Sequence, residues 1–184
     1  MKPLCGIDEA GRGPLAGSLV MAGVILKQPV EGLMDSKKLT EKKREALYPL
    51  VIANSAHHIV SFSAKEVDTW GISKCLHKGL LSIQKHLPDA EYLFDGNSTF
   101  GVSGINTMVK ADDKVAEVSA ASILAKVSRD REIVEMAEKY PEYGFEKHKG
   151  YGTKAHIAAL VKYGRCPLHR KTFRVKQLDE ATLF

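Results

Sequence analysis

The chain has 184 residues, 44% of them hydrophobic and 27% charged, with a formal net charge of +5. That is the size and balance of one globular domain with a core of its own, and no apolar run approaches the roughly 18 residues that span a bilayer. Three cysteines (Cys5, Cys75, Cys166) are scattered without Cys-x-x-Cys spacing, which speaks against a disulfide framework or a thiolate zinc site and for reduced thiols in a cytoplasmic protein.

In chain order, residues 4–9 and 17–27 read as strands, being short apolar runs bounded by Gly and Pro. Thr40 caps a predicted helix over 41–52, with Ala46, Leu47 and Leu50 on one face. Residues 58–63 alternate like a strand, and Ser63 with Glu66 has capping-box spacing. The helix that follows runs to Leu87, carries Ile72, Cys75, Leu76, Leu80 and Ile83 at the 3.6-residue period, and shares its core with Trp70. Strands are predicted over 91–94 and 105–110. A long helix over about 117–139 turns Ala120, Ile123, Leu124 and Val127 inward and leaves Lys126 and Arg129 on its solvated side. After Pro141 comes a loop rich in Gly and aromatics, then a helix over 153–163 and a basic tail. Interleaved strands and helices predict an α/β fold. The close spacing of the first strands predicts a mixed sheet, and the absence of repeats or linkers predicts a single domain over 1–184.

The first strand ends on Asp8-Glu9 and runs into Gly11-Arg12-Gly13-Pro14. Adjacent carboxylates at a buried strand end repel each other unless a cation is shared, although a solvated acidic pair before a turn is also ordinary. Asp95 and Asp112 sit just past two other predicted strand ends, where α/β proteins assemble sites from distant positions. Four oxygen donors without Cys or His suit Mg²⁺ or Mn²⁺, and two such ions about 4 Å apart can clamp a phosphodiester. Neighbouring residues on a regular strand face opposite ways, so for Asp8 and Glu9 to share ions the chain is expected to twist or bulge there. Shared ions also require Asp95 within about 10 Å of Asp8 and Glu9, given oxygen distances of roughly 2.0–2.6 Å. The glycines beside them let the backbone approach a ligand closely, and Arg12 between them suits a phosphate.

Charge is distributed unevenly. Residues 145–176 hold nine Lys and Arg against Glu146 alone, so that segment carries +8 and the remainder −3. Lys37, Lys38, Lys42, Lys43 and Arg44 form a second basic cluster. Solvated helix faces also carry such runs, but two of them flanking an acidic centre point to a nucleic-acid backbone.

Six motifs occur in order: Gly-Ile-Asp-Glu-Ala-Gly-Arg-Gly-Pro (6–14), Asp-Ser-Lys-Lys-Leu (35–39), Asp-Gly-Asn (95–97), Ser-Ala-Ala-Ser-Ile-Leu-Ala-Lys-Val (119–127), His-Lys-Gly-Tyr-Gly-Thr (148–153) and Leu-His-Arg-Lys-Thr-Phe (168–173). Over almost its whole length the chain resembles the bacterial ribonuclease HII family of type 2 ribonucleases H. The resemblance implies an RNase H-like mixed sheet flanked by helices, with a helical, basic substrate-binding extension over 145–184. It implies a monomeric endonuclease that hydrolyses RNA paired with DNA and acts in ribonucleotide excision repair. Cleavage is expected 5′ of a single embedded ribonucleotide, leaving a 3′-hydroxyl and a 5′-phosphate. Asp8, Glu9, Asp95 and Asp112 are then the catalytic, metal-binding carboxylates, with Asp112 favoured over Asp113 by its register to Ser119. Gly11, Arg12 and Gly13 read the ribose 2′-hydroxyl, Tyr151 stacks on the next deoxyribose, Ser36, Lys37 and Lys38 touch the backbone, and His169 and Arg170 grip the DNA strand. The terminal Leu183 and Phe184 faintly resemble a sliding-clamp-binding peptide. A non-catalytic nucleic-acid-binding module is the alternative from another class, and a mononucleotide phosphatase a further one that so broad a basic surface disfavours.

Overall fold

The computed structural model, which describes residues 1–33 and 38–180, is organised around five strands: β1 (Leu4–Ala10), β2 (Leu19–Leu26), β3 (Ser55–Phe62), β4 (Glu91–Asp95) and β5 (Ile105–Met108). Their order is β3-β2-β1-β4-β5, antiparallel from β3 to β1 and parallel from β1 to β5. The mixed sheet is therefore as expected. A short connection can make only an antiparallel pair, whereas the parallel neighbours require crossovers.

Side-chain alternation along β2 divides the core in two. Leu19 and Met21 face a layer built from α3 (Ile72–His86), through Cys75, Leu76, Leu80 and Ile83. Val20, Ala22 and Val24 face α4 (Ala116–Ala137), through Ala120, Ile123, Leu124 and Val127. The first turn of α4 lies directly on β1, because a Cβ at Gly6 would meet the Glu117 carbonyl carbon and the Val118 nitrogen at 2.3 Å. That contact fixes the long helix against the strand that carries Asp8.

Several predicted elements are redrawn. The segment expected as one helix to Leu87 breaks at Gly71, whose φ of 80° lies outside the helical region, into α2 (Ala64–Trp70) and α3. The Ser63–Glu66 capping box is present, both of its hydrogen bonds at 3.1 Å. Trp70 lies half-buried at the edge of the core, with the Lys78 ammonium 4.3 Å over its ring. Helix α1 (Glu41–Ala53) is capped by Thr40, which accepts from the Lys43 N–H at 3.2 Å. Its inward face is Leu47, Tyr48, Val51 and Ile52, and Leu50 is exposed, because α1 meets the core one position further round than the expected stripe. The strand predicted to reach Lys110 stops at Met108.

The region after Pro141 is ordered: a 3₁₀ turn (Pro141–Tyr143), α5 (Phe145–His148), α6 (Lys154–Tyr163) and α7 (Lys176–Asp179). Tyr143, Phe145, Leu160, Cys166 and Leu168 close a third apolar cluster on Ala16 and Ile133. This cluster seats the C-terminal elements against the β1–β2 connection and the far half of α4. Arg165 pins α7 through a two-pronged bond to Asp179 at 2.9 and 3.0 Å. The three cysteines are free and buried. No helix among the described residues is long and apolar enough to cross a membrane.

Candidate metal centre and nucleic-acid interface

Strands β1 and β4 run parallel with Ile7 opposite Phe94, so Asp8 and Asp95 follow side by side at their C-terminal ends. Cys5 and Ile7, like Tyr92 and Phe94, belong to the α3-side core. By alternation Asp8 and Asp95 therefore point to the α4 side. Asp112 comes from the 3₁₀ turn Ala111–Asp113, which the chain enters through Lys110 in the left-handed region at φ 57°. The Asp112 N–H donates to Asp95 Oδ2 at 3.1 Å and locks the two together. The result is a cluster in which Asp8, Asp95 and Asp112 each present a carboxylate oxygen, all within 4.8 Å of one another. Among the described residues Asp113 is not part of it.

Glu9 lies beside this cluster without a bulge: the β1–β2 register runs unbroken through Asp8–Ala22, Glu9–Met21 and Ala10–Val20. Its Oε1 accepts from Arg12 Nη1 at 3.3 Å, and the Arg12 guanidinium lies 5.4 Å over the Phe100 ring. It stays close enough to feel both Asp8 and Asp95, and its Oε2 is buried with no hydrogen-bond donor among the described residues.

Burial, and then the neighbouring carboxylates Glu9, Asp95 and Asp112, push the Asp8 carboxyl well above its ordinary range. Glu9 is also pushed up by burial, with Arg12 opposing. A buried carboxylate oxygen with no donor, next to three carboxylates that repel one another, is a site short of positive charge. An all-oxygen donor set of this kind fits a hard divalent cation.

The Gly11-Arg12-Gly13 turn is braced from behind by two buried arginines. Arg170 donates to the carbonyls of Gly11 (2.6 Å), Pro14 (3.0 Å), Arg12 (3.1 Å) and Gly17 (3.1 Å). Arg129 donates to those of Ala16, Ser18 and Lys149, each at 2.8 Å. Arg129, expected on a solvated face, is 2% exposed, and Arg170, expected to grip DNA directly, is 1% exposed. The signal for Arg129 lay in the i, i+4 helical spacing: Ala125, Arg129 and Ile133 fall four apart on the same buried face. Burial lowers the Arg170 pKa to about 10, which leaves it charged at neutral pH.

His169 is also buried, and it belongs to a relay that no motif announced. The Cys166 N–H donates to His169 Nδ1 at 3.0 Å, so the proton of that ring sits on Nε2 and points at His156 Nε2, 2.8 Å away. The His156 proton is thereby placed on Nδ1, which donates to the Tyr151 carbonyl at 2.8 Å. His148 stacks on His156 at 4.1 Å between centroids and accepts from the Gly150 N–H. The backbone of Tyr151 is thus held rigidly while its ring is 48% exposed beside Arg129. Lys38 is exposed. Ser36, Lys37, Leu183 and Phe184 lie outside the described residues.

Comparison with known proteins gives concordant matches. A family model described as Ribonuclease HII matches residues 5–176. The ribonuclease HII of Sulfurovum sp. (strain NBC37-1) is 77% identical over 183 residues, which cover 100% of this chain and 97% of that protein. The crystal structure of ribonuclease H2 from Pyrococcus horikoshii OT3 gives a TM-score of 0.81 at 29% identity, covering 98% of each chain. The RNase HII of Archaeoglobus fulgidus, solved in complex with PCNA, gives 0.79 at 28% identity, covering 97% of this chain and 99% of that one.

Proposed function

We propose, from the premise that this chain belongs to the ribonuclease HII family, that it is a divalent-ion-dependent endonuclease which hydrolyses the RNA strand of RNA–DNA hybrids and cuts duplex DNA 5′ of a single embedded ribonucleotide. The family makes it a ribonuclease H enzyme with an RNase H-like fold, so the alternative of a non-catalytic binding module falls away. The observation that carries the finer reading is the adjacency of the Asp8–Asp95–Asp112 cluster to the braced Gly11-Arg12-Gly13 turn.

Asp8, Asp95 and Asp112 would hold Mg²⁺ or Mn²⁺, with the unpartnered Glu9 oxygen completing the set. Ions so placed supply positive charge for the scissile phosphate and lower the pKa of bound water. The protein does the rest by positioning. With the Gly11 and Arg12 carbonyls engaged by Arg170, the N–H groups of Arg12 and Gly13 have no partner among the described residues. They and the Arg12 guanidinium are the donors available to a 2′-hydroxyl and its neighbouring phosphate. The exposed Tyr151 ring, on a backbone fixed by His156, forms the stacking platform for the following sugar. His169 and Arg170 act through these groups as positioning residues. The basic residues of 145–176, with Ser36, Lys37 and Lys38, hold the backbone. A sliding clamp is the partner proposed for Leu183 and Phe184, and its test is loss of clamp affinity on deleting both.

The decisive experiment maps the scission position on duplex DNA bearing one ribonucleotide, with and without Mg²⁺ or Mn²⁺. Metal-dependent cutting 5′ of the ribonucleotide, leaving a 3′-hydroxyl and a 5′-phosphate, is expected. Cutting at any other bond, or equal cutting without metal, would overturn the proposal.

A further inference from the structure

Beside the end of β1 lies a cleft that the carboxylates do not line. Ala10, the residue after Glu9, and Tyr151 form its near wall, and a cavity of about 310 Å³ extends from them between α1, the middle of α4 and the loop after α5. Its lining is strongly cationic: Arg44, Lys126, Arg129, Lys147 and Lys149 stand against Glu41 and Asp130 alone.

These charges are not equally engaged. Arg129 is committed to its three carbonyls. Lys149 is shared between Glu41 Oε1 at 3.6 Å and the Glu146 carbonyl at 2.6 Å. Asp130 is half-buried and faces Lys149, Arg129 and Arg44. Lys126 and Lys147 have no ion pair among the described residues. Arg44 donates from Nη1 to the Leu39 carbonyl at 2.6 Å and has no ion pair among the described residues. The lining therefore holds more positive charge than its two carboxylates neutralise, and an anion from outside the protein is the natural partner.

We propose that this cleft is a phosphate subsite, which takes one phosphodiester of the substrate backbone beyond the scissile bond, with Lys126 and Arg44 as its cationic contacts. This rests on the nuclease reading above. A nucleic-acid strand carries one charge per roughly 3.4 Å of axis, so a strand laid across Asp8 must bring further phosphates past Ala10. The wall offers charge and, apart from Tyr151, no aromatic surface for a base. The grip is therefore indifferent to sequence and fixes register, the role of phosphate contacts in general.

The test is a neutralisation scan. In a series of duplexes with one ribonucleotide, the phosphates flanking the cut are replaced one at a time by uncharged methylphosphonates. Then kcat/KM is measured for wild type, Lys126→Gln and Arg44→Gln. Lys126 is only half-buried, so its substitution leaves the fold testable even if Arg44→Gln does not. One position away from the scissile bond should cost wild type about tenfold and cost Lys126→Gln nothing more. The loss in that variant should fall on KM, and its salt slope should drop by about one unit. A Lys126→Gln enzyme equally sensitive at every position overturns the subsite and leaves the nuclease reading intact. A wild type that fails to cut the unmodified duplex overturns that reading itself.

Discussion

Asp8 stands where stability and function pull apart. Burial and three neighbouring carboxylates raise its pKa, so without a cation the fold disfavours the ionised carboxylate that metal binding requires. Asp8→Asn should abolish cleavage and, without divalent ions, raise Tm. Added Mg²⁺ or Mn²⁺ should raise Tm for wild type but not for the variant, and a lower metal-free Tm in Asp8→Asn would contradict this account. The two turn glycines should also separate. Gly11 has φ +95°, and a Cβ there would meet Arg129 Nε at 2.4 Å and the Ser18 carbonyl at 2.5 Å, whereas a Cβ at Gly13 meets nothing within 4 Å. Gly11→Ala should therefore lose cleavage at least a hundredfold and lose stability, while Gly13→Ala keeps wild-type stability in urea titration. The acidic residues and glycines were legible from residue type and spacing alone. The direction in which Glu9 points was not, because it depends on an unbroken ladder with β2.

At the level of elements, the connection between β1 and β2 is shaped by segments more than a hundred residues away. Arg170 holds four of its carbonyls and Arg129 two, Ala16 and Ser18. A lysine cannot reproduce a planar fork that serves several acceptors, and each buried carbonyl left unpaired costs about 1–3 kcal/mol. Arg170→Lys should destabilise the protein by about 3 kcal/mol or more in urea titration, and a loss under about 1 kcal/mol would remove the brace. Lys171→Ala next to it, with an exposed side chain, should stay within about 0.5 kcal/mol of wild type. Helix starts were legible from short-range chemistry, as Thr40, Ser63 and Thr153 show. The inward roles of His156 and Arg170 were hidden, since a polar or charged residue looks solvated until the groups it serves are in place.

Over the whole molecule, the histidine relay ties the C-terminal elements to the catalytic sheet and makes that union sensitive to acid. Burial, and then His156, lower the His169 pKa from 6.5 to about 4, and His156 is lowered by burial as well. The unfolded chain takes up these protons near pH 6.5 and the folded chain does not, so their contribution is full above pH 6.5 and drains away as pH falls toward 4. Asp8 and Glu9 act in the opposite sense, so the comparison belongs in a background carrying both Asp8→Asn and Glu9→Gln. There, Tm should fall between pH 6.5 and 4, and His169→Gln should flatten that decline; an identical slope would refute the relay. By itself the sequence determined the α/β class, the mixed sheet and the family, and it singled out Asp8, Asp95 and Asp112, which the fold brings together, because these follow from apolar periodicity, strand-end carboxylates and ordered motifs. Only the tertiary structure decided that Asp8, Asp95 and Asp112 converge with Glu9 beside them and paired to Arg12, and that His169 and Arg170 are buried behind the turn. Those outcomes depend on which buried donors meet which acceptors across segments far apart in the chain, and local pattern carries no record of such pairings.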